Sequence, residues 1–117
     1  VDVTPFNIPL GQIPRMDVFA FKTHPELLEK AKSISSSEFK LVAGRIVSGD
    51  QFIDCKMKAN HLINTFNAYA CEMEGAAVAH VCHINEVPVL VVRALSDMAG
   101  FDGNVATHTF EQLKDMT

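Results

Sequence analysis

Residues 68–84 read AYACEMEGAAVAHVCHI, and this stretch decides the fold class. Its first part, 68–71, is a short run of β-forming residues and predicts a strand. The acidic turn 72–74 follows, and 75–84 then predicts a helix of small residues that packs closely against a sheet. A strand that leads into such a helix is typical of α/β folds.

The same alternation continues on both sides of this stretch. Upstream, FKLVAGRIV (39–47) predicts a strand that ends at the turn 48–50, and residues 57–66 predict a second helix. Downstream, PVLVVRAL (88–95) is an apolar run of the kind found in a strand buried on both faces. Strands that alternate with helices predict an α/β fold with a largely parallel sheet.

The first helix is predicted to start around Pro25. Thr23 can cap the free amides, Pro25 suits the first turn and Glu26 stands three residues after the cap. An apolar stripe then continues through Leu27, Leu28, Ala31 and Ile34. Before this helix, residues 1–20 are rich in proline and predict a long loop. The loop has too many apolar residues for a purely solvated linker, so we expect it to pack on another surface, and a partner subunit is one candidate.

Composition excludes several classes of protein. The 117 residues fit one small domain or part of a larger one, and 48% hydrophobic with 21% charged residues is typical of a folded protein. A net charge of -4 with scattered cations argues against nucleic acid or an anionic membrane as the main partner. Three cysteines without CxxC spacing make a zinc site or disulfide framework improbable and favour reduced thiols in a cytoplasmic protein.

Polar residues follow three of the predicted strands. They are Ser48-Gly49-Asp50, Glu72-Met73-Glu74 and Ser96-Asp97. Because ligands of parallel α/β sheets bind outside the carboxyl ends of the strands, three such ends in one short chain suggest a shared site.

Asp97 and Arg93 each allow two interpretations. Asp97 follows an apolar strand, where desolvation keeps a carboxyl protonated, so it is a candidate general acid. An Asp that caps the next segment is the other interpretation, which spacing alone slightly favours. Arg93 lies inside the same strand and needs an anionic partner. That partner is either part of a structural ion pair or a catalytic carboxylate from elsewhere.

Glu72 and Glu74 immediately precede the predicted helix 75–84. A carboxylate there stays ionised and suits hydrogen bonding to vicinal hydroxyls such as those of ribose. Simple helix-start charge is the alternative, and it is preferred for Glu72. Phe52 is a candidate for stacking on a flat base, although turn aromatics more often belong to the core. No metal is assigned, because only two side chains of the set His80, Cys82 and His83 share a helix face.

Three motifs together carry a resemblance to a known family. SGDQFI (48–53), CEMEGAAVAHVCH (71–83) and VVRALSD (91–97), in this order, resemble the nucleoside phosphorylase and nucleosidase superfamily. The opening DVTPFNIPLGQIP (2–14) is similar to that of its methylthioadenosine/S-adenosylhomocysteine nucleosidases. The resemblance implies a three-layer α/β/α fold with a mixed, largely parallel sheet. Residues 1–117 would be the C-terminal portion of a single nucleosidase domain, with the N-terminal portion absent.

The resemblance also implies a reaction and a set of roles. It implies hydrolysis of the N-glycosidic bond of 5'-methylthioadenosine and S-adenosylhomocysteine, which releases adenine, with water as co-substrate and no cofactor. Asp97 would protonate purine N7, and Asp rather than Asn at this position fits adenine. Glu74 would bind the ribose hydroxyls while Met73 packs against the sugar. Phe52 would stack on the base, and the Ile53 backbone would read its edge.

Further implied roles concern the surroundings of the nucleoside. Ser96 and Arg93 would support the acid and the water site. The 5'-alkylthio pocket of the neighbouring subunit would be lined by Val3, Phe6 and Pro14, which implies a homodimer. Phe110 would close that pocket, although its spacing from Asp97 departs from the family pattern by a few residues. The loop departs too, because Asn7-Ile8 stands where the family has Gly-Tyr.

Two other functions stay open at the level of sequence. The EMEG and SD motifs are shared with purine nucleoside phosphorylases, whose phosphate-binding residues would lie outside this chain. A non-catalytic nucleoside-binding domain of the same fold is the second alternative, and intact Asp97 and Glu74 argue against it. In the nucleosidases the water-activating base is an early Glu with no counterpart here. The 117 residues alone are therefore predicted to be inactive.

Overall fold

The computed structural model describes residues 3–34 and 36–95. After a short 3₁₀ turn at Thr4–Phe6, the regular elements are, in chain order, α1 (Pro25–Lys32), β1 (Arg45–Ser48), α2 (Lys56–Phe66), β2 (Ala68–Glu72) and α3 (Gly75–Ile84). Strands β1 and β2 pair in parallel, with α2 as the connection between them. The predicted α/β fold with a parallel sheet is confirmed.

The register of the two strands brings their carboxyl ends together. Ile46 stands opposite Ala70, and Ser48 stands opposite Glu72, after an irregularity next to Arg45. Asn67 ends α2 in the left-handed conformation, and its N–H bonds to Ile63 O at 2.8 Å. Asn tolerates this conformation better than most residues, which allows β2 to start immediately after the helix. The short connection therefore fixes where β2 begins.

Helix α3 is the predicted helix, with the predicted bounds. Gly75 and Ala79 are its buried residues, and the helix packs on β1. Small side chains allow the helix to approach the sheet closely. The predicted helix of residues 57–66 is confirmed as α2, which starts one residue earlier.

The start of α1 differs from the prediction. Pro25 is in the first turn as expected, but His24 rather than Thr23 is the N-cap, and no side chain caps the helix. His24 precedes a proline and is extended, with ψ 127°. The proline ring excludes the helical region for the residue before it, so the helix cannot begin earlier. The helix also ends at Lys32, so Ile34 does not continue its stripe.

Two predicted strands are wrong in extent or in type. The predicted strand 39–47 is paired only from Arg45, because β2 begins at Ala68, the partner of Arg45. Residues 88–95 are not a strand, and Val92 and Leu95 are 64% and 71% exposed. Strands require hydrogen-bonded neighbours, and within residues 3–34 and 36–95 the sheet has only two strands. The apolar pattern alone therefore predicted neither the extent of the first segment nor the structure of the second.

The opening loop packs on the helices of its own chain. The ring of Phe19 stacks on Phe66 of α2, with centroids 6.2 Å apart. The Phe21 ring lies 5.4 Å from His80 and 5.3 Å from His83, both on α3. The contact of Phe19 thus gives the end of the loop a surface within its own chain, while the contacts of Phe21 lie just beyond the loop.

Gly44 gives a test of how closely the chain before β1 packs on β2. A Cβ added at Gly44 would lie 2.6 Å from Cδ1 and 2.7 Å from Cβ of Tyr69. Because the Cβ of Tyr69 is fixed by its backbone, Gly44→Ala should lower the free energy of unfolding of the full-length protein by about 1–3 kcal/mol.

The matched control is Gly49→Ala, since a Cβ there would meet nothing within 4 Å. Its unfolding free energy, measured by urea denaturation, should stay within about 0.5 kcal/mol of the unsubstituted protein. Equal effects of the two substitutions would contradict the packing described for Gly44.

Candidate functional site at the strand ends

The carboxyl ends of β1 and β2 form one polar cluster. Ser48 is opposite Glu72 in the register, and the Gly49 N–H bonds to Glu72 O at 3.1 Å. The structure thus joins two of the three polar strand ends that the sequence predicted to share a site. Ser96 and Asp97, the third, lie outside the described residues.

Glu72 is the centre of this cluster. Its carboxylate accepts the N–H of Gly75 at 2.8 and 2.7 Å to its two oxygens, and the N–H of Glu74 at 3.2 Å. It also accepts a hydrogen bond from Ser48 Oγ on one oxygen and pairs with Arg93 through the other. Its side chain is only 11% exposed. One carboxylate therefore links the end of β1, the start of α3 and the segment that contains Arg93.

These contacts keep Glu72 ionised. Partial burial of the carboxyl would by itself raise its pKa, but hydrogen bonds from Ser48, Arg93 and the amides of Gly75 and Glu74 outweigh that effect. Together they lower the pKa of Glu72 from 4.5 to about 2. Glu72 therefore cannot donate a proton near neutral pH, and it acts as a fixed negative charge.

The sequence indicated only part of this role. Helix-start charge was the preferred interpretation of Glu72, and the two amides that it accepts from the first turn of α3 agree with it. Its bonds to Ser48 and Arg93 were missed, because they join residues far apart in the sequence. The only available signal was the parallel register, which places Ser48 beside Glu72 once the strand bounds are known.

Arg93 finds the carboxylate partner that the sequence predicted for it. Its Nε lies 3.1 Å from Oε2 of Glu72, and its Nη2 bonds to the same oxygen. The Nη2 atom also lies 3.4 Å from Oε2 of Glu74. Arg93 was expected to be buried inside a strand, but 38% of its side chain is exposed, so solvent screens part of this attraction. The guanidinium therefore lies between a fixed carboxylate and an accessible one.

Glu74 is that accessible carboxylate. It occupies the N-cap of α3 but makes no capping bond with its side chain, which is 71% exposed. Met73 beside it is 47% exposed. A carboxyl group at a helix N-terminus, with an arginine near it and solvent in front, suits a ligand that donates hydrogen bonds.

Residues after β1 line a shallow groove next to the cluster. Phe52 is 62% exposed, so within the described chain it is not the core residue that turn aromatics usually are. Ile53 is half-buried and lines a groove of about 360 Å³. The groove also contacts residues of α2 and of the preceding turn, namely Gln51, Met57, Lys58, His61 and Leu62.

The remaining predicted site residues divide into exposed, buried and undescribed. Phe6 is 77% exposed, and Pro14 is exposed as well. Val3, predicted to line a pocket of the neighbouring subunit, is only 6% exposed and packs within its own chain. Because that packing covers its side chain, Val3 has little surface left for a second subunit. Phe110 lies outside the described residues.

Among residues 3–34 and 36–95, no three His, Cys, Asp or Glu side chains are grouped so that they could bind a metal. The same part of the chain contains no helix long and apolar enough to cross a bilayer.

Comparison with known proteins supplies the wider context. A family model described as the phosphorylase superfamily matches residues 2–117. The chain is 42% identical over 118 residues to the 5'-methylthioadenosine/S-adenosylhomocysteine nucleosidase of Bacillus thuringiensis (strain Al Hakam). That alignment covers 98% of this chain and 49% of the relative, so the chain spans about half the length of the curated relatives that it matches.

The chain is also similar in fold and sequence to solved structures. A 5'-methylthioadenosine/S-adenosylhomocysteine nucleosidase from Colwellia psychrerythraea 34H, in complex with adenine, has a TM-score of 0.80 and 37% identity, over 96% of this chain and 46% of that chain. The futalosine hydrolase of Helicobacter pylori strain 26695 has a TM-score of 0.76 and 32% identity, over 100% and 55%.

The low pKa of Glu72 predicts a pH-dependent contribution to stability. Because the pKa in the folded state is below the ordinary value of 4.5, the stabilisation is fully present above that value and is lost as the pH falls towards about 2. At pH 7, Glu72→Gln should therefore lower the free energy of unfolding of the full-length protein by about 1–3 kcal/mol.

The difference between the two proteins should shrink as the pH is lowered, which urea denaturation at a series of pH values measures. Glu38→Gln, at an exposed position, is the control and should change the unfolding free energy little at any pH. A cost of Glu72→Gln that stays constant down to pH 2 would show that the carboxylate charge is not the cause.

Proposed function

The chain belongs to the phosphorylase superfamily, and on that premise we propose that the protein containing it is a 5'-methylthioadenosine/S-adenosylhomocysteine nucleosidase. The enzyme hydrolyses the N-glycosidic bond of these nucleosides and releases adenine. The observation that carries the proposal is the pair of carboxylates around Arg93, with Glu72 fixed and Glu74 accessible, at the strand ends. The similarity to the nucleosidases of Bacillus thuringiensis and Colwellia psychrerythraea supports the same substrate class.

Residues at the start of α3 bind the sugar. The exposed carboxylate of Glu74 accepts hydrogen bonds from the 2'- and 3'-hydroxyls of ribose, and Met73 packs against the ring. Two vicinal hydroxyls match the two oxygens of one carboxylate, which gives orientation as well as affinity. On the base side, the exposed ring of Phe52 stacks on adenine while the backbone of Ile53 reads its edge.

Bond cleavage requires a proton donor other than Glu72. Asp97 protonates N7 of adenine, so that the electron pair of the C1'–N9 bond leaves with the purine. The sugar then resembles an oxocarbenium ion, as in other glycosyl cleavages. Water attacks C1', and its proton passes to a base outside this chain. Proton donation of this kind contributes about 10²–10⁴ in rate.

Arg93 and Ser96 support the acid and the water site in this proposal. The positive charge of Arg93, already paired with Glu72, orients the polar groups around C1' without adding a net charge to the site.

The 5'-alkylthio group binds at the boundary with a second subunit of a homodimer. Phe6 and Pro14 are exposed and available for this contact, whereas Val3 is buried in its own chain and has little surface left for it. Phe110 closes the pocket. We place the enzyme in the cytoplasm, because three cysteines without CxxC spacing favour reduced thiols.

A nucleoside phosphorylase is the second candidate, because the family model that matches the chain is that of the phosphorylase superfamily. In that case phosphate, not water, attacks C1', and the product is a sugar 1-phosphate. A non-catalytic nucleoside-binding domain would bind the same ligands without releasing adenine.

One assay separates these functions. The full-length protein is incubated with 5'-methylthioadenosine, S-adenosylhomocysteine or futalosine, with and without inorganic phosphate, and the released base and sugar are separated by chromatography. We expect adenine and a free sugar from the first two substrates at the same rate in both buffers. Strict dependence on phosphate would indicate a phosphorylase, and tight binding without release would indicate a binding domain.

Substitution of the proposed acid tests the mechanism. Asp97→Asn removes the proton donor while keeping its size, so kcat for 5'-methylthioadenosine should fall by about 10²-fold or more. Asp17→Asn, at an exposed position of the opening loop, serves as the matched control and should leave kcat unchanged. Unaltered turnover in the Asp97→Asn protein would remove Asp97 from the mechanism.

A further inference from the structure

Ser48 has no part in the proposed chemistry, yet its hydroxyl is held from two sides. Its Oγ accepts the N–H of Ala76 at 2.8 Å, and it donates its proton to Oε1 of Glu72. An amide can only donate and the ionised carboxylate of Glu72 can only accept, so the direction of both bonds is fixed. Ser48 thus ties the end of β1 to the first turn of α3 and to the central carboxylate.

Arg93 is shared between two carboxylates on the other side of Glu72. Its guanidinium makes two bonds to Oε2 of Glu72 but lies 3.4 Å from Glu74 through one nitrogen only. How the guanidinium divides its hydrogen bonds between Glu72 and Glu74 depends on whether Oε2 of Glu72 keeps its position. If Glu72 turns, Arg93 gains by moving towards Glu74, which is the group proposed to bind the sugar.

We propose that Ser48 is a positioning residue for the nucleosidase reaction, because by holding Oε1 of Glu72 it keeps Arg93 on Glu72 and leaves Glu74 available to the ribose hydroxyls. The identity of the ligand in this inference rests on the proposed function, whereas the link from Ser48 to Glu72 does not. Ser48 acts through Glu72 and Arg93 and is not itself expected to touch the substrate.

Loss of the hydroxyl should leave the fold intact. The Ala76 amide that Ser48 accepts belongs to an exposed residue, so water can replace Oγ there. Glu72 would still accept the amides of Gly75 and Glu74. What Ser48→Ala removes is the side-chain donor to Oε1 of Glu72, which keeps the hydrogen bond from the N–H of Gly75.

Steady-state kinetics of the full-length protein test the proposal. For 5'-methylthioadenosine, Ser48→Ala should raise KM about tenfold, the effect of one lost hydrogen bond to a charged group. Any fall in kcat should be smaller than the rise in KM, because the proposed acid is untouched and only Arg93, which supports the water site, is shifted. Ser48→Thr keeps the hydroxyl and should restore KM, while Ser37→Ala, at an exposed position, is the control. An unchanged KM, or a fall in kcat alone, would overturn the proposal.

A second measurement does not depend on the reaction. Titration of the side-chain carboxyl carbon of Glu72 by nuclear magnetic resonance should give a pKa of about 2 in the unsubstituted protein and a higher value in Ser48→Ala. If the unsubstituted protein releases no adenine, the proposed function fails, and this titration still decides the role of Ser48. An identical Glu72 titration in both proteins would overturn the inference.

Discussion

The ionised carboxylate of Glu72 is the constraint on which the rest of the site depends. It accepts hydrogen bonds from a strand end, from a helix start and from Arg93, so three separate segments keep one geometry only while that charge is present. A partly buried carboxylate without donors would be costly, and each donor here offsets that cost. The arrangement is compact because Gly75 has no side chain; a Cβ there would lie 2.9 Å from Oε1 of Glu72.

The two acidic residues before α3, Glu72 and Glu74, have different surroundings. Glu72 is enclosed, has a low pKa and holds other groups in place, while Glu74, two residues later, is open to solvent and is the carboxylate that we propose binds the sugar. Glu72 is therefore not the source of the proton that an adenine leaving group requires. In the proposed mechanism, proton donation and sugar binding belong to two other carboxyl groups, those of Asp97 and Glu74.

Local pattern predicted the elements whose structure is decided locally. Helix α3 has the predicted bounds because its small residues and the acidic turn before it indicate a helix start locally, to which Ser48 adds a contact with the N–H of Ala76. The segment 88–95 has an equally clear apolar pattern, but a strand needs partners, and the sequence pattern does not contain them. Thr23 failed as a cap for a local reason of its own, since the residue before Pro25 cannot be helical.

The sequence predicted where the site lies better than it predicted which side chains contact each other there. Polar residues after strands correctly indicated that Ser48 and Glu72 belong to one cluster, because parallel strands end at one edge. The pattern did not tell that Glu72 turns inward while Glu74 turns outward, since both stand at the same junction. The partner of Arg93 was predicted in kind but not in identity, because it lies 21 residues away along the chain.

A double-mutant cycle on Ser48 and Arg93 tests most directly whether Glu72 unites the site. The two residues bind opposite oxygens of Glu72, so that carboxylate is the contact that they share. Unfolding free energies of Ser48→Ala, Arg93→Met and the double variant of the full-length protein are measured at pH 7. We predict a coupling energy of about 1 kcal/mol, whereas additivity within about 0.3 kcal/mol would contradict the account.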